Sequence, residues 1–168
     1  MTGAIILSTM GSVCMVVAAS AAGSARWPVT LGAMMVWLTL MAAVQHLRKA
    51  TPPPIPAAER QRVGRLVAYA SAGEGVAIFL GINVVIHLGH AEWVDPLIVA
   101  VVGLHFVPLA KWLPRPAYYI TAIALLTAAA LGLSITEPAL RRVVVFGACA
   151  GILWATSALV LLRANSQA

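Results

Sequence analysis

Long apolar runs, separated by short polar connections, recur along almost the whole chain. Six of these runs are long enough for a helix that crosses a bilayer, which needs roughly 20 residues. Of the 168 residues, 61% are hydrophobic and 10% are charged, whereas a soluble domain usually has about 25% charged residues. A soluble globule of this size could not bury so much apolar surface, because its surface-to-volume ratio leaves a large exposed shell. The sequence therefore predicts an all-α integral membrane protein and excludes a soluble domain, a disordered chain and a disulfide scaffold.

We predict a bundle of six transmembrane helices that forms a single transmembrane domain over residues 1–168. The predicted spans cover residues 3–23, 27–47, 66–88, 94–113, 117–133 and 140–162. Residues 48–65 are predicted as a proline-rich basic loop, in which the stretch from Ala57 to Arg65 is typical of a helical lead into span 3. Before span 6, Thr136-Glu137-Pro138 indicates an N-cap followed by a helix start.

The distribution of the basic residues predicts the topology. Three of the 11 Lys and Arg residues, Arg26, Arg141 and Arg142, fall on one side of the predicted bundle, and the other eight fall on the side that carries the 48–65 loop. These eight are Arg48, Lys49, Arg60, Arg62, Arg65, Lys111, Arg115 and Arg163. By the positive-inside rule the eight-residue side, with both chain termini, is cytoplasmic. We expect anionic lipids at the basic loop, no nucleic-acid partner, and a location in the inner membrane of a bacterium.

Two titratable side chains lie deep inside predicted spans. Glu74 is about eight residues into span 3 and His105 is about eight residues before the end of span 4, so each lies roughly 12 Å from the cytoplasmic end. Spans 3 and 4 are antiparallel and joined by a short loop, which favours contact between the carboxylate and the imidazole. An ionisable group near the bilayer centre costs about 2.5–3.5 kcal/mol and is by default a functional candidate. We therefore predict that Glu74 and His105 are the catalytic pair.

Neighbouring residues are predicted to bind the substrate. Gly73 and Gly75 flank Glu74 and remove side chains from around its carboxylate, so a helix, water or ligand can approach. In span 4, Pro108 cannot donate a backbone hydrogen bond to the Leu104 carbonyl, and a freed carbonyl beside a kink can serve a ligand. The alternative is a purely structural role, in which the Glu74–His105 contact only stabilises the packing of two helices. Interhelical polar contacts contribute about 0.6–2 kcal/mol to such packing.

Three functional hypotheses follow from this arrangement. The first is a small proton-linked transporter or carrier, in which Glu74 accepts the proton and His105 is its partner. The second is a membrane-embedded enzyme of isomerase or cyclase type, which uses the pair as general acid and base on an apolar, lipid-like substrate. The third is an accessory or assembly subunit, with a second copy or another membrane protein packed on small-residue faces such as Gly147-xxx-Gly151.

No cofactor or metal is predicted. The sequence contains no Walker A, G-x-S-x-G, H-E-x-x-H or CxxC motif. Asn83, His87 and His90 form a stripe near the outer end of span 3, and Glu92 and Asp95 follow in the loop. The two imidazoles and two carboxylates are ligand types suited to zinc or another divalent metal, but hydrated histidines and acids at a membrane surface are the better interpretation. Cys14 and Cys149 fall inside apolar runs and are predicted to be small packing residues.

Overall fold

The computed structural model describes residues 2–49, 56–113 and 116–165, and this part of the chain is helical without strands. Its helices are α1 (Thr2–Ser20), α2 (Arg26–Lys49), α3 (Ala57–His87), α4 (Val94–Trp112), α5 (Pro116–Leu133) and α6 (Pro138–Asn165). All six are long and apolar enough to cross a membrane. The prediction of an all-α protein with six span-length helices is therefore confirmed.

The largest difference from the predicted bounds is at the start of α3. This helix begins at Ala57, so residues 57–65, predicted within the loop between spans 2 and 3, lie in the helix. Pro56 precedes its first turn and Glu59 lies within it, where a carboxylate interacts favourably with the helix dipole. The remainder of the proline-rich stretch, residues 50–55, lies outside the described residues. The arginines of residues 57–65 do not oppose this helical start, because Arg is a good helix former.

Local backbone chemistry sets two of the helix ends. Helix α1 ends at Ser20, three residues before its predicted end. Gly23, which follows, has a φ of 56°, in the left-handed region that favours glycine. Gly89, with a φ of 81°, follows α3; its N–H donates to the Ile86 carbonyl, and the His90 N–H donates to the Val85 carbonyl. These two bonds form a Schellman motif, which satisfies carbonyls that the helix end leaves without partners.

The start of α6 is capped by a carboxylate. The Glu137 side chain accepts a hydrogen bond from the Ala139 N–H at 3.0 Å and another from the Leu140 N–H. Pro138 is the first helical residue, where its missing N–H leaves no intrahelical bond unmade. The side chain that caps the helix is thus that of Glu137, within the predicted Thr136-Glu137-Pro138 start signal.

The helices group into two compact units. In the first unit α1 packs against both α2 and α6. The Ser157 hydroxyl of α6 donates to the Ala4 carbonyl at 3.0 Å, and the Trp154 indole N–H donates to the Ser8 carbonyl at 3.3 Å. Residue numbers rise along α1 as they fall along α6, so the two helices are antiparallel. The start of α1 and the end of α6 consequently lie at the same end of this unit.

In the second unit α4 packs against both α3 and α5. A Cβ at Gly103 would lie only 3.1 Å from the Leu125 Cβ and 3.3 Å from the Ala122 carbonyl oxygen, so glycine allows α4 and α5 to approach closely. On the other side of α4, Leu97 packs over Gly81 of α3. The second unit therefore carries both Glu74, on α3, and His105, on α4.

Candidate functional site: the Glu74–His105 pair

The structure brings the two predicted titratable residues together. Glu74 Oε2 lies 3.4 Å from His105 Nδ1, and about one tenth of each side chain is exposed (11% for Glu74 and 10% for His105). Glu74 lies on a narrow, half-buried face of α3, along with Ala70 and Ile78, while much of the rest of α3 is exposed. The pair is thus held at the α3–α4 interface by the packing of the unit.

A backbone carbonyl determines which nitrogen of the His105 imidazole carries the proton. His105 Nδ1 lies 3.2 Å from the Ala70 carbonyl oxygen, one helical turn before Glu74 on α3. A carbonyl oxygen can only accept, so Nδ1 is the N–H donor in this bond. The same N–H faces Glu74 Oε2, which suits an ionised carboxylate. In the neutral imidazole this tautomer leaves Nε2 as the acceptor, and a proton can therefore bind there without disturbing the contact with Glu74.

Aromatic side chains pack beside the pair. The His105 ring lies edge-to-face with the Phe106 ring, with centroids 5.7 Å apart, and the Phe106 ring lies 5.8 Å from that of Tyr118 on α5. Phe106 and Tyr118 are both buried. Tyr118, which the sequence places at a span end, is therefore part of the packing between α4 and α5, and it links this contact to the neighbourhood of His105.

The four residues predicted to bind the substrate are arranged in two different ways. A Cβ at Gly73 or at Gly75 would meet nothing within 4 Å, so the backbone on both sides of Glu74 borders open space. In α4, Leu104 is 56% exposed and Pro108 is half-buried. Open backbone therefore flanks the carboxylate along α3, whereas α4 contributes an exposed apolar side chain beside His105.

A separate groove in the second unit is apolar. It has a volume of about 310 Å³ and is lined by residues of α3, α4 and α5, among them Val85, Leu97, Leu126 and Leu133, with Trp93 at the start of α4. Neither Glu74 nor His105 is among the lining residues. The groove and the polar pair are thus two distinct features of one unit.

One histidine and one carboxylate between α3 and α4 are in contact. His90 Nδ1 lies 2.9 Å from Glu92 Oε1, and the His90 ring stacks on Trp93 with centroids 4.2 Å apart. Asn83 donates its side-chain amide to the Phe79 carbonyl of its own helix, and His87 is exposed. Within the described ranges, no three His, Cys, Asp or Glu residues are grouped as a metal site.

The two cysteines are also in contact, which the sequence did not indicate. Cys14 of α1 and Cys149 of α6 are buried, and their Sγ atoms are 3.4 Å apart. The two residues are 135 positions apart in the sequence, so no local pattern predicts their contact, and only the packing of α1 against α6 brings them together. By contrast, the predicted packing face of Gly147 and Gly151 borders open space, because a Cβ at either glycine would meet nothing within 4 Å.

Comparison with protein-family models, with curated proteins and with solved structures found no match to the chain. A functional assignment therefore depends on the residues and their geometry.

Proposed function

We propose that this protein is a small proton-linked membrane carrier in which Glu74 accepts and releases a proton and His105 is its partner. The observation that carries the proposal is the 3.4 Å contact between two mostly buried titratable groups on span-length helices. Ionisable side chains inside membrane spans are costly, and they commonly mark ion pathways and proton relays.

The geometry around the pair supports the exchange of a proton. His105 Nδ1 is occupied by the Ala70 carbonyl and faces Glu74, so Nε2 is the position at which the neutral ring takes up a proton. A Cβ at Gly73 or Gly75 would meet nothing within 4 Å, and we propose that water or a small solute approaches the Glu74 carboxylate along this side of α3. Leu104 and Pro108 complete the proposed substrate contacts on α4.

An enzyme acting on a lipid-like substrate is the second class we considered. Such an enzyme needs an apolar pocket next to its acid and base. The apolar groove in the second unit does not include Glu74 or His105 in its lining, so it gives no support to that mechanism. An accessory role is supported only by exposed small-residue faces. In that role the contact between Glu74 and His105 would only stabilise the packing of α3 against α4.

The proposed carrier lies in a bacterial inner membrane with both termini in the cytoplasm. The eight-to-three distribution of Lys and Arg supports this orientation. The antiparallel packing of α1 and α6 supports only the part of the proposal that puts both termini on one side, since it brings the two terminal helix ends to one end of their unit. The basic residues on the cytoplasmic side then face anionic lipids.

The proposal is tested by measuring proton flux into proteoliposomes that contain a pH-sensitive dye. The vesicles receive a potassium diffusion potential and then a panel of sugars, amino acids, carboxylates, organic cations and inorganic cations. We expect at least one condition to drive proton flux through the wild-type protein, and we expect Glu74→Gln and His105→Asn to abolish that flux.

Glu59→Gln is the matched control, because it neutralises an exposed carboxylate on the same helix and should leave the flux unchanged. Wild-type vesicles that never exceed protein-free vesicles would overturn the proposal. A Glu74→Gln variant with wild-type flux would overturn it too, and would favour an accessory role.

A further inference from the structure

Cys14 and Cys149 are held opposite each other where α1 packs against α6 in the first unit. Cys14 is 6% exposed and Cys149 is fully buried, and both lie well inside span-length helices. The Sγ–Sγ distance of 3.4 Å places one thiol within hydrogen-bonding distance of the other. The two residues are thus close without being joined by a disulfide.

Contacts on the N-terminal side of Cys14 fix the register that brings the thiols together. A Cβ at Gly11 would lie 2.8 Å from the Trp154 ring and 3.2 Å from the Ala150 carbonyl oxygen, so α1 and α6 are in close backbone contact one turn from the thiols. Further along, the Trp154 and Ser157 side chains donate to α1 carbonyls. These anchors prevent the helices from sliding and keep the sulfur atoms opposed.

The distance to be closed for a covalent bond is small. A disulfide has an S–S length of about 2.03–2.05 Å and joins Cα atoms that are about 4.4–6.8 Å apart. Close packing at Gly11 shows that the backbones of α1 and α6 approach each other about one helical turn from Cys14. Since the sulfur atoms are already 3.4 Å apart, only a small further approach of the two side chains separates this contact from a covalent bond.

We propose that Cys14 and Cys149 are an oxidation site whose disulfide links α1 covalently to α6. In this step both S–H bonds break and one S–S bond forms. The two protons and two electrons pass to a lipid-soluble two-electron acceptor of the quinone class, which becomes the hydroquinone. A lipid-soluble oxidant is required because both thiols are buried within span-length helices. Once the protein is denatured, a thiol reductant reverses the bond through exchange.

The link would lock the packing of the first unit. The two cysteines stand near opposite ends of the sequence, so the bond closes a loop that contains the whole of the second unit. In the reduced state α1 and α6 are held by packing and hydrogen bonds alone. In the oxidised state they cannot separate. This inference is independent of the proposed carrier function, because it concerns a different unit and needs no proton movement.

The experiment uses the full-length protein in nanodiscs. The reduced protein is treated with tetramethyl-1,4-benzoquinone, whose fully substituted ring disfavours thiol addition, then denatured and exposed to N-ethylmaleimide, and its intact mass is measured. We expect loss of both maleimide adducts, a mass lower by two hydrogens, and a peptide in which Cys14 is joined to Cys149. Treatment with a thiol reductant should restore both adducts. Each Cys→Ser single variant should retain its remaining adduct.

A relocated thiol provides the matched control. The double variant Cys14→Ala/Val13→Cys moves the thiol to a neighbouring exposed position on α1, where it should not pair with Cys149. Full retention of both adducts in the wild-type protein, under conditions that oxidise an exposed dithiol peptide, would overturn the proposal. Crosslinking between two chains instead of within one chain would overturn it as well. Since the decisive measurement is made on the wild-type protein, it stands even where a serine variant does not fold.

Discussion

The Glu74 carboxylate of α3 and the His105 imidazole of α4 are in contact, with 3.4 Å between Oε2 and Nδ1. The same imidazole nitrogen donates to the Ala70 carbonyl, so one N–H faces two oxygen atoms of α3. A titratable pair is therefore placed between the apolar segments of two helices. The energetic coupling of the pair and its proposed role in proton transport are tested by separate measurements.

The first prediction concerns the coupling between the pair. In a double-mutant cycle of Glu74→Gln and His105→Asn, we expect an interaction energy of about 0.6–2 kcal/mol in the free energy of unfolding, because interhelical polar contacts in membranes fall in this range. Unfolding is followed by circular dichroism during detergent titration. The control cycle pairs Glu59→Gln with His105→Asn, and these changes should add within about 0.5 kcal/mol because the residues are distant. Additivity in the first cycle would mean that the contact contributes nothing.

The second prediction separates folding from function at Gly75. A leucine at this position enters open space, so Gly75→Leu should fold, with a stability between that of the wild-type protein and about 1 kcal/mol higher through helix propensity. The added side chain occupies the approach to Glu74, and we therefore expect it to suppress proton flux at least tenfold. Gly64→Leu, also in open space on α3, is the control and should keep its flux. Unchanged flux in Gly75→Leu would remove this glycine from the proposed substrate contacts.

The third prediction concerns the contact between α4 and α5. Gly103→Ala places a Cβ 3.1–3.3 Å from atoms of α5, and overpacking of this kind costs typically about 1–3 kcal/mol. Gly64→Ala meets no neighbour, and its effect should range from neutral to a stabilisation of about 1 kcal/mol through helix propensity. Detergent unfolding curves of the two variants make the comparison. Equal stability of the two variants would show that α4 and α5 do not pack through Gly103.

The fourth prediction concerns the hydrogen bond from Ser157 to the Ala4 carbonyl, which joins α6 to α1. Because Ser157 is fully buried, Ser157→Ala should lower the free energy of unfolding by about 0.5–1.5 kcal/mol. Thr127 donates to a carbonyl of its own helix and is exposed, so Thr127→Ala should change stability by less than about 0.5 kcal/mol. The order of the two effects is the critical result, and a larger loss in Thr127→Ala would contradict the interhelical role.

The fifth prediction concerns the orientation of the chain. With both termini in the cytoplasm, a green fluorescent protein fused after Ala168 should fluoresce, and an alkaline phosphatase fused at the same place should be inactive. Fusions after Gly89, between α3 and α4, should give the opposite pattern, because that connection lies on the side with fewer basic residues. An active phosphatase at the C-terminus would reverse the proposed topology.

The sequence by itself determined the all-helical class and the presence of six span-length helices. Apolar length is a local property of the chain, and in a bilayer every backbone polar group must be satisfied within its own helix, so each run specifies its own structure. Glu74 and His105 could be singled out for a related reason: a titratable residue inside an apolar run is conspicuous in the sequence. Their matched depths followed from counting residues along two antiparallel helices.

Only the tertiary structure decided which helix faces meet. Most faces of these helices are apolar, and lipid is as apolar as a packed side chain, so hydropathy does not show how α3 is rotated or that α1 packs on α6. The rotation of α3 puts Glu74 against His105, and close contact at Gly11 puts Cys14 opposite Cys149. The same packing left Gly147 and Gly151 in open space although their spacing favours a close interface. Van der Waals fit and a few interhelical polar contacts select these arrangements, and both depend on residues that are far apart in the chain.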